Sequence, residues 1–325
     1  MVHCLPMVSV IQDKPMLPPT AAVAKNEHRP LAFDASILGS ESNIPSQFIW
    51  PDDDKPCLDD PELVIPAIDF GAFLLGDSLA VSKAAEAVNE ACKKHGLQLS
   101  EKQKAKRKVG ESYGYASSFV GRFYSKLPWK ETLRLYQEYC EARNKVSQEI
   151  MGLLGISLGL DQAYFKDFFE QNDSILRLNH YSPCQKPELT LGTGPHTDPT
   201  SLTILHQDQV GGLQVFADEK WHSVAHIPGA FVALTNGIYK SCLHRAVVNT
   251  ETVRKSLAFF LCPKLERPVT PAAGLVNAAN SRKYPDFTWA ALLEFTQNHY
   301  RADMKTLVAF SKWVQEQESN NKLIP

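Results

Sequence analysis

Two hydrophobic rhythms divide the chain. From Trp129 to Leu158 the apolar positions Leu133, Tyr136, Cys140, Val146, Ile150, Leu153 and Leu154 recur at mostly helical spacing, which predicts one long core helix, and DQAYFKDFFEQ predicts a shorter one after it. At Ser174 the texture changes. ILRLNHYSP, SLTILHQ, GLQVFAD, KWHSVAHIPGAFVAL, SCLHRAVVN and RKSLAFFLCP are short β-rich segments parted by Gly, Pro, Asn and Asp, the pattern of a sandwich or jelly roll. Helical texture returns in TWAALLEFTQNHY and KTLVAFSKWVQEQE.

The N-terminal part is less regular. Residues 1–62 are rich in proline and polar residues and hold no sustained period, so they read as an extended arm that docks at Phe48, Ile49 and Trp50. LVIPAIDF (63–70) reads as a short strand, and AVSKAAEAVNEACKKHG as an amphipathic helix, N-capped by Asp77 or Ser78 and ended at Gly96. The expected organisation is an arm over 1–62, a mostly helical region over 63–172, a β core over 173–265 and C-terminal helices over 266–325. The fold class is α+β.

Composition narrows the function. A net charge of −2 over 325 residues gives no field that would gather nucleic acid or an anionic membrane. The cluster Lys102, Lys104, Lys106, Arg107 and Lys108 has no interleaved aromatic platform, so it reads as a solvated helical face. Seven scattered cysteines without a CxxC pair argue against a disulfide framework or a zinc knuckle and fit a reducing compartment. The start MVHCLPMVSVIQDKP makes a poor signal peptide, and no apolar run approaches a membrane span. A cytoplasmic protein is expected.

The candidate chemistry lies in GPHTDPTSLTILHQDQ. Residues two apart on a strand face one side, so His196 and Asp198 can offer ligands to one point. A ferrous facial triad needs a second histidine. His206, His222, His226 and His244 are the candidates. His206 sits roughly 30 Å along an extended strand from His196, too far without a reversal, and His222 and His226 flank a turn-rich piece. His244 lies in a β-rich segment whose successor carries Arg254 and Ser256, an i, i+2 pair able to clamp a carboxylate. Tyr181 offers a further hydroxyl. Each piece alone has a bland reading as a satisfied or solvated side chain, whereas the ordered set points to one shared iron site. In LPWKE, Pro128 and Trp129 read equally as a substrate contact or as a helix entry and core plug.

These residues carry a resemblance. NHYSPCQKPELTLGTGPHTDPTSLTILHQDQVGGLQVF, YKSCLHRAVVN and RKSLAFFLCP resemble the plant 2-oxoglutarate and iron(II)-dependent oxygenases. IPSQFIWP (44–51), GYASSFVGRF with SKLPWKETL (114–133) and YPDFTWAALLEFTQNHYRADMKTLVAF (284–310) are similar to the gibberellin 20-oxidase branch of that family. The resemblance implies a double-stranded β-helix (jelly roll) core flanked by helices, with His196, Asp198 and His244 as Fe(2+) ligands. It implies Arg254 and Ser256 on the distal carboxylate of the cosubstrate 2-oxoglutarate, with Tyr181 in the same pocket. The implied reaction oxidises the C-20 carbon of a gibberellin precursor with O2, and ascorbate serves as reductant. A monomer acting on a small diterpenoid, without nucleic-acid or membrane partners, is expected.

Three joins are shorter than that family's pattern: KKHGLQLSEKQ, the stretch after LPWKETL, and PGAFVALTNG. The last lacks a strand end of roughly eight residues, or about 26 Å of extended chain. Losing that strand would leave the core incomplete and shift the His244 strand against the His196 strand, so two outcomes stand open at this point, an iron site that closes and one that does not. Two alternatives follow, a non-catalytic relative or an oxygenase of another plant metabolite. A zinc hydrolase on a jelly roll would leave Arg254 and Ser256 without a carboxylate to hold.

Overall fold

The sequence RKSLAFFL has apolar side chains at both parities, which suits a strand covered on both faces. In the computed structural model it is the pivot of the larger of two facing sheets. The structure describes residues 2–4, 38, 43–57, 60–62, 67–68, 114–116, 126–135, 141–225, 231–235, 243–276, 282, 284–299 and 306–321. In chain order β1 (Val2–Cys4), β2 (Ala67–Ile68), β3 (Gly114–Ala116) and β4 (Glu131–Leu135) precede helices α1 (Glu141–Ser157) and α2 (Gln162–Phe168). There follow β5 (Ile175–Tyr181), β6 (Thr193–His196), β7 (Leu202–Gln207), β8 (Leu213–Ala217), β9 (Lys220–Ser223), β10 (Phe231–Thr235), β11 (His244–Ala246) and β12 (Arg254–Leu261). A small hairpin of β13 (Pro268–Val269) and β14 (Phe287–Thr288) leads to α3 (Trp289–Asn298) and α4 (Thr306–Asn321).

The major sheet runs β2-β1-β10-β7-β12-β5-β4-β3 and the minor sheet β6-β11-β8-β9. Side-chain parity divides the work of β12. Leu257, Phe259 and Leu261 join Leu202, Ile204 and Leu176 against Val146, Ile150 and Met151 of α1. Ala258 and Phe260 face the other way, with Ile175 and Leu205, onto Leu213, Val215 and Val224 and onto Trp289, Leu292 and Phe295 of α3. The polar residues Arg254 and Ser256 share that inward parity, so the sheet that builds the core also delivers the site.

Two expectations need correction. The long helix predicted from Trp129 begins only at Glu141, because Glu131–Leu135 is a strand paired to β5, with Leu133 opposite Leu178. ETLRL alternates polar and apolar residues, and an open edge of β5 rewards that period of two. Nor does the described part of PGAFVALTNG lack a strand. Phe231–Thr235 forms β10 and pairs with β7, Val232 opposite Leu205 and Thr235 opposite Leu202, while β1 lies parallel on its other side. Ladder pairing uses backbone groups, so a β-prone segment of different sequence fills the vacant slot. The strand expected at 63–70 is described only at Ala67–Ile68, and the helix expected at 78–96 and the basic run at 102–108 lie outside the described residues.

The arm is anchored by its aromatics. Phe48 is buried edge-on against Trp129, with ring centroids 5.3 Å apart, and the Trp50 backbone N–H donates to the Leu189 carbonyl at 2.9 Å. Phe259 is fully buried between β12 and α1. Phe259→Ala is expected to lower unfolding stability by about 3–5 kcal/mol, read as a shifted midpoint at unchanged slope in urea denaturation.

Candidate metal centre

His196 closes β6, and the strand cannot run on through Asp198 because Pro199 lacks the N–H that the ladder needs. Asp198 therefore sits in the connection to β7, two residues past the end of β6, and not on the strand itself. His244 opens β11 directly opposite His196 in the minor sheet. All three residues are buried, and their ligand atoms lie within 4.8 Å of one another. His196 Nε2 is 3.7 Å from Asp198 Oδ1, His244 Nε2 is 3.8 Å from Asp198 Oδ2, and the two rings lie 4.2 Å apart at 46°. Two imidazoles and one carboxylate grouped on one side form a donor set that suits a ferrous ion with open positions for other ligands.

Neighbouring polar groups aim these ligands. His196 Nδ1 lies 2.8 Å from the Gly194 carbonyl, which can only accept, so Nδ1 carries the proton and Nε2 keeps its lone pair toward Asp198. Thr203 on β7 donates to Asp198 Oδ2 at 2.8 Å, tying the carboxylate to the major sheet.

A second cluster lies on the inward face of the major sheet. Arg254 is 2% exposed; its Nη2 donates to Gln207 Oε1 at 3.0 Å, whereas Nε and Nη1 have no hydrogen-bond partner among the described residues. Its guanidinium lies over the Tyr181 ring at 4.9 Å, Tyr181 being its cross-strand partner. Ser256 accepts from Asn179 Nδ2 at 3.2 Å, and Lys130 Nζ donates to Asn179 Oδ1 at 3.4 Å. The Tyr181 hydroxyl reaches Thr193 Oγ1 on β6 at 3.3 Å and links the two sheets. A buried guanidinium with free donors calls for an anion, and the planar fork matches a carboxylate. The residues thus fit a small organic acid beside a metal ion.

Glycines leave room for this cluster. A Cβ on Gly192 would fall 2.5 Å from the Tyr181 ring. Gly212, at φ +132°, would place one 2.9 Å from the Val247 carbonyl and 3.0 Å from Arg254 Cδ.

The rejected histidines go elsewhere. His206 is opposite Leu257, on the face turned to α1. His222 shares a row with Val215, His244 and His196 but stands one strand beyond Val215, and His226 lies outside the described residues. Trp129 is a core plug: it is fully buried and donates from Nε1 to the Ser182 carbonyl at 3.2 Å. Sequence reasoning missed Thr203, Gln207, Asn179 and Lys130. The inward parity of Thr203, Leu205 and Gln207 along SLTILHQ was the available signal.

Comparison with known proteins fits this geometry. Residues 172–263 match the 2OG-Fe(II) oxygenase superfamily. Gibberellin 20 oxidase 1 of Arabidopsis thaliana is 50% identical over 367 aligned positions, covering 93% of this chain and 96% of that protein. The chain belongs to the gibberellin 20-oxidase family. Gibberellin 20 oxidase 1-B of Triticum aestivum is 49% identical over 90% of this chain and 98% of its own length. The crystal structure of JOX2 in complex with 2OG, Fe and JA has a TM-score of 0.69 at 26% identity, covering 85% of this chain and 97% of that one.

Membership in the gibberellin 20-oxidase family makes this chain an iron(II) and 2-oxoglutarate-dependent dioxygenase with a jelly-roll core, whose substrate is a small molecule. The alignment with Gibberellin 20 oxidase 1 is longer than this chain's 325 residues, so that relative carries segments that this gibberellin 20-oxidase homologue lacks. Among the described residues no helix is long and apolar enough to cross a membrane. Thr203→Val, which keeps the shape but removes the bond to Asp198, is expected to weaken ferrous iron binding by about 10- to 100-fold, measured anaerobically by competition with a chelator.

Proposed function

We propose that this chain oxidises the C-20 carbon of gibberellin precursors in gibberellin biosynthesis, using 2-oxoglutarate and O2 as cosubstrates and ascorbate as reductant, as a cytoplasmic monomer. His196, Asp198 and His244 hold Fe(2+); Arg254 and Ser256 hold the distal carboxylate of 2-oxoglutarate, with Tyr181 as the wall behind them. The observation that carries this reading is the convergence of His196, Asp198 and His244 despite the shortened joins. It is supported by about 50% identity to gibberellin 20-oxidases across most of the chain.

Bound iron, with 2-oxoglutarate and O2, supplies the oxidising power needed to break a C–H bond. The residues of the chain do the rest. Asp198 balances charge on the metal, and Gly194 and Thr203 keep its neighbours aimed. Arg254 anchors the far end of the organic acid through Nε and Nη1, while Gln207 holds the rest of the fork in plane. Asn179 fixes the Ser256 hydroxyl, and the apolar floor of Leu205, Ala258 and Phe260 excludes water from beneath the pocket.

The alternative is an oxygenase of the same family that acts on another plant metabolite. One assay separates them: iron-loaded protein with a C20 gibberellin is expected to convert 2-oxoglutarate to succinate in step with substrate oxidation. Well-folded, iron-loaded protein that releases no succinate with that substrate would exclude the gibberellin reading. Asp198→Ala is expected to abolish turnover, and an active variant would refute the ligand assignment. Arg254→Met is expected to raise the 2-oxoglutarate requirement by at least ~30-fold, equivalent to about 2 kcal/mol for lost hydrogen bonds to a charged group, in titrations that follow succinate.

A further inference from the structure

The strand that delivers His244 is weakly built. β11 is only three residues long, and its pairing with β6 is irregular between His244 and Ala246. A metal ligand on such a strand needs support from outside the ladder. The middle residue, Arg245, supplies it, because alternation sends its side chain to the outer face of the minor sheet, away from the metal.

Arg245 is 1% exposed, and its contacts come from three parts of the chain. Nε donates to Gln214 Oε1 on β8 at 2.7 Å, and the guanidinium lies over the Trp221 ring of β9 at 4.1 Å. The remaining contacts belong to the arm. Nη2 donates to Asp60 Oδ2 at 3.1 Å, and Nη1 donates to the Asp54 and Lys55 carbonyls at 3.3 and 3.5 Å. Gln214 Nε2 closes the network on Asp60 Oδ2 at 2.9 Å. Next to it the Ser223 N–H donates to the Pro61 carbonyl at 2.9 Å, so the arm also pairs with the edge of β9. A charge this deeply buried is stable only while its carboxylate stays in place, so docking of the arm and placement of β11 depend on each other.

We propose that Arg245 is a positioning residue for the metal centre, and that Asp60, Asp54 and Lys55 act through it to set how His244 presents its imidazole. The arm is thereby part of the metal site although it supplies no ligand. This inference rests on the reading of His244 as a ligand.

The test is an anaerobic Co(2+) titration of the metal-free full chain, followed by the visible d–d absorption, alongside thermal unfolding without metal. Asp60→Asn and Arg245→Lys are expected to weaken Co(2+) binding by about tenfold or more and to change the band shape. Val146→Ala, on α1 against the outward face of the major sheet, is expected to lower the melting temperature while leaving both readings unchanged. If Asp60→Asn and Arg245→Lys only lower the melting temperature and bind Co(2+) with the parent affinity and spectrum, the inference falls. His244→Ala that keeps the parent spectrum would instead overturn the ligand reading, so the two failures are distinguishable.

Discussion

One cross-strand pairing governs the molecule: His244 lies opposite His196 in the minor sheet. Residues directly opposed in an antiparallel pair present their side chains on one face a few ångströms apart, so this register alone brings two imidazoles from distant parts of the chain to one point. Thr203, from the opposing sheet, holds the Asp198 carboxylate that completes the group. The centre therefore depends on both sheets at once. A slip of one residue in β11 would turn His244 outward and Arg245 inward, replacing an imidazole with a guanidinium.

The cosubstrate side obeys the same logic. On β12 the inward residues change from Phe260 and Ala258 to Ser256 and Arg254 along one strand, so an apolar floor passes into a polar clamp without a break in the sheet. Register with β5 sets Tyr181 under the guanidinium and Asn179 beside the serine. Tyr181 then reaches Thr193 on β6, three residues before His196. The Arg254 cluster and the His196–Asp198–His244 group are mechanically continuous through that one side chain.

Much of this was legible in the sequence, and the exceptions are instructive. The strands of the β core could be read from period-two patterning between turn residues, and the six candidate side chains from their order. The placement of Asp198 could not, since i, i+2 spacing suggested a shared strand where β6 in fact ends at His196. Thr203, Gln207 and Asn179 were invisible because a neutral polar residue in a strand shows its purpose only when its cross-sheet partner is known. The strand Glu131–Leu135 was taken for helix because Leu133, Tyr136 and Cys140, three and four apart, carry a helical period across its end. The loss expected at PGAFVALTNG did not open the core because a ladder reads backbone groups, and Phe231–Thr235 provides them.

The division of β12 into a face packed on α1 and a face lining the pocket also bears on folding. A chain folded with that strand out of step would bury its guanidinium against a helix and expose leucines. The same error would break the registers that set Tyr181 and Gln207 beside that guanidinium. Such a molecule would lose its polar clamp and its packed core in the same step, so a misregistered copy has neither a pocket for an organic acid nor a stable fold.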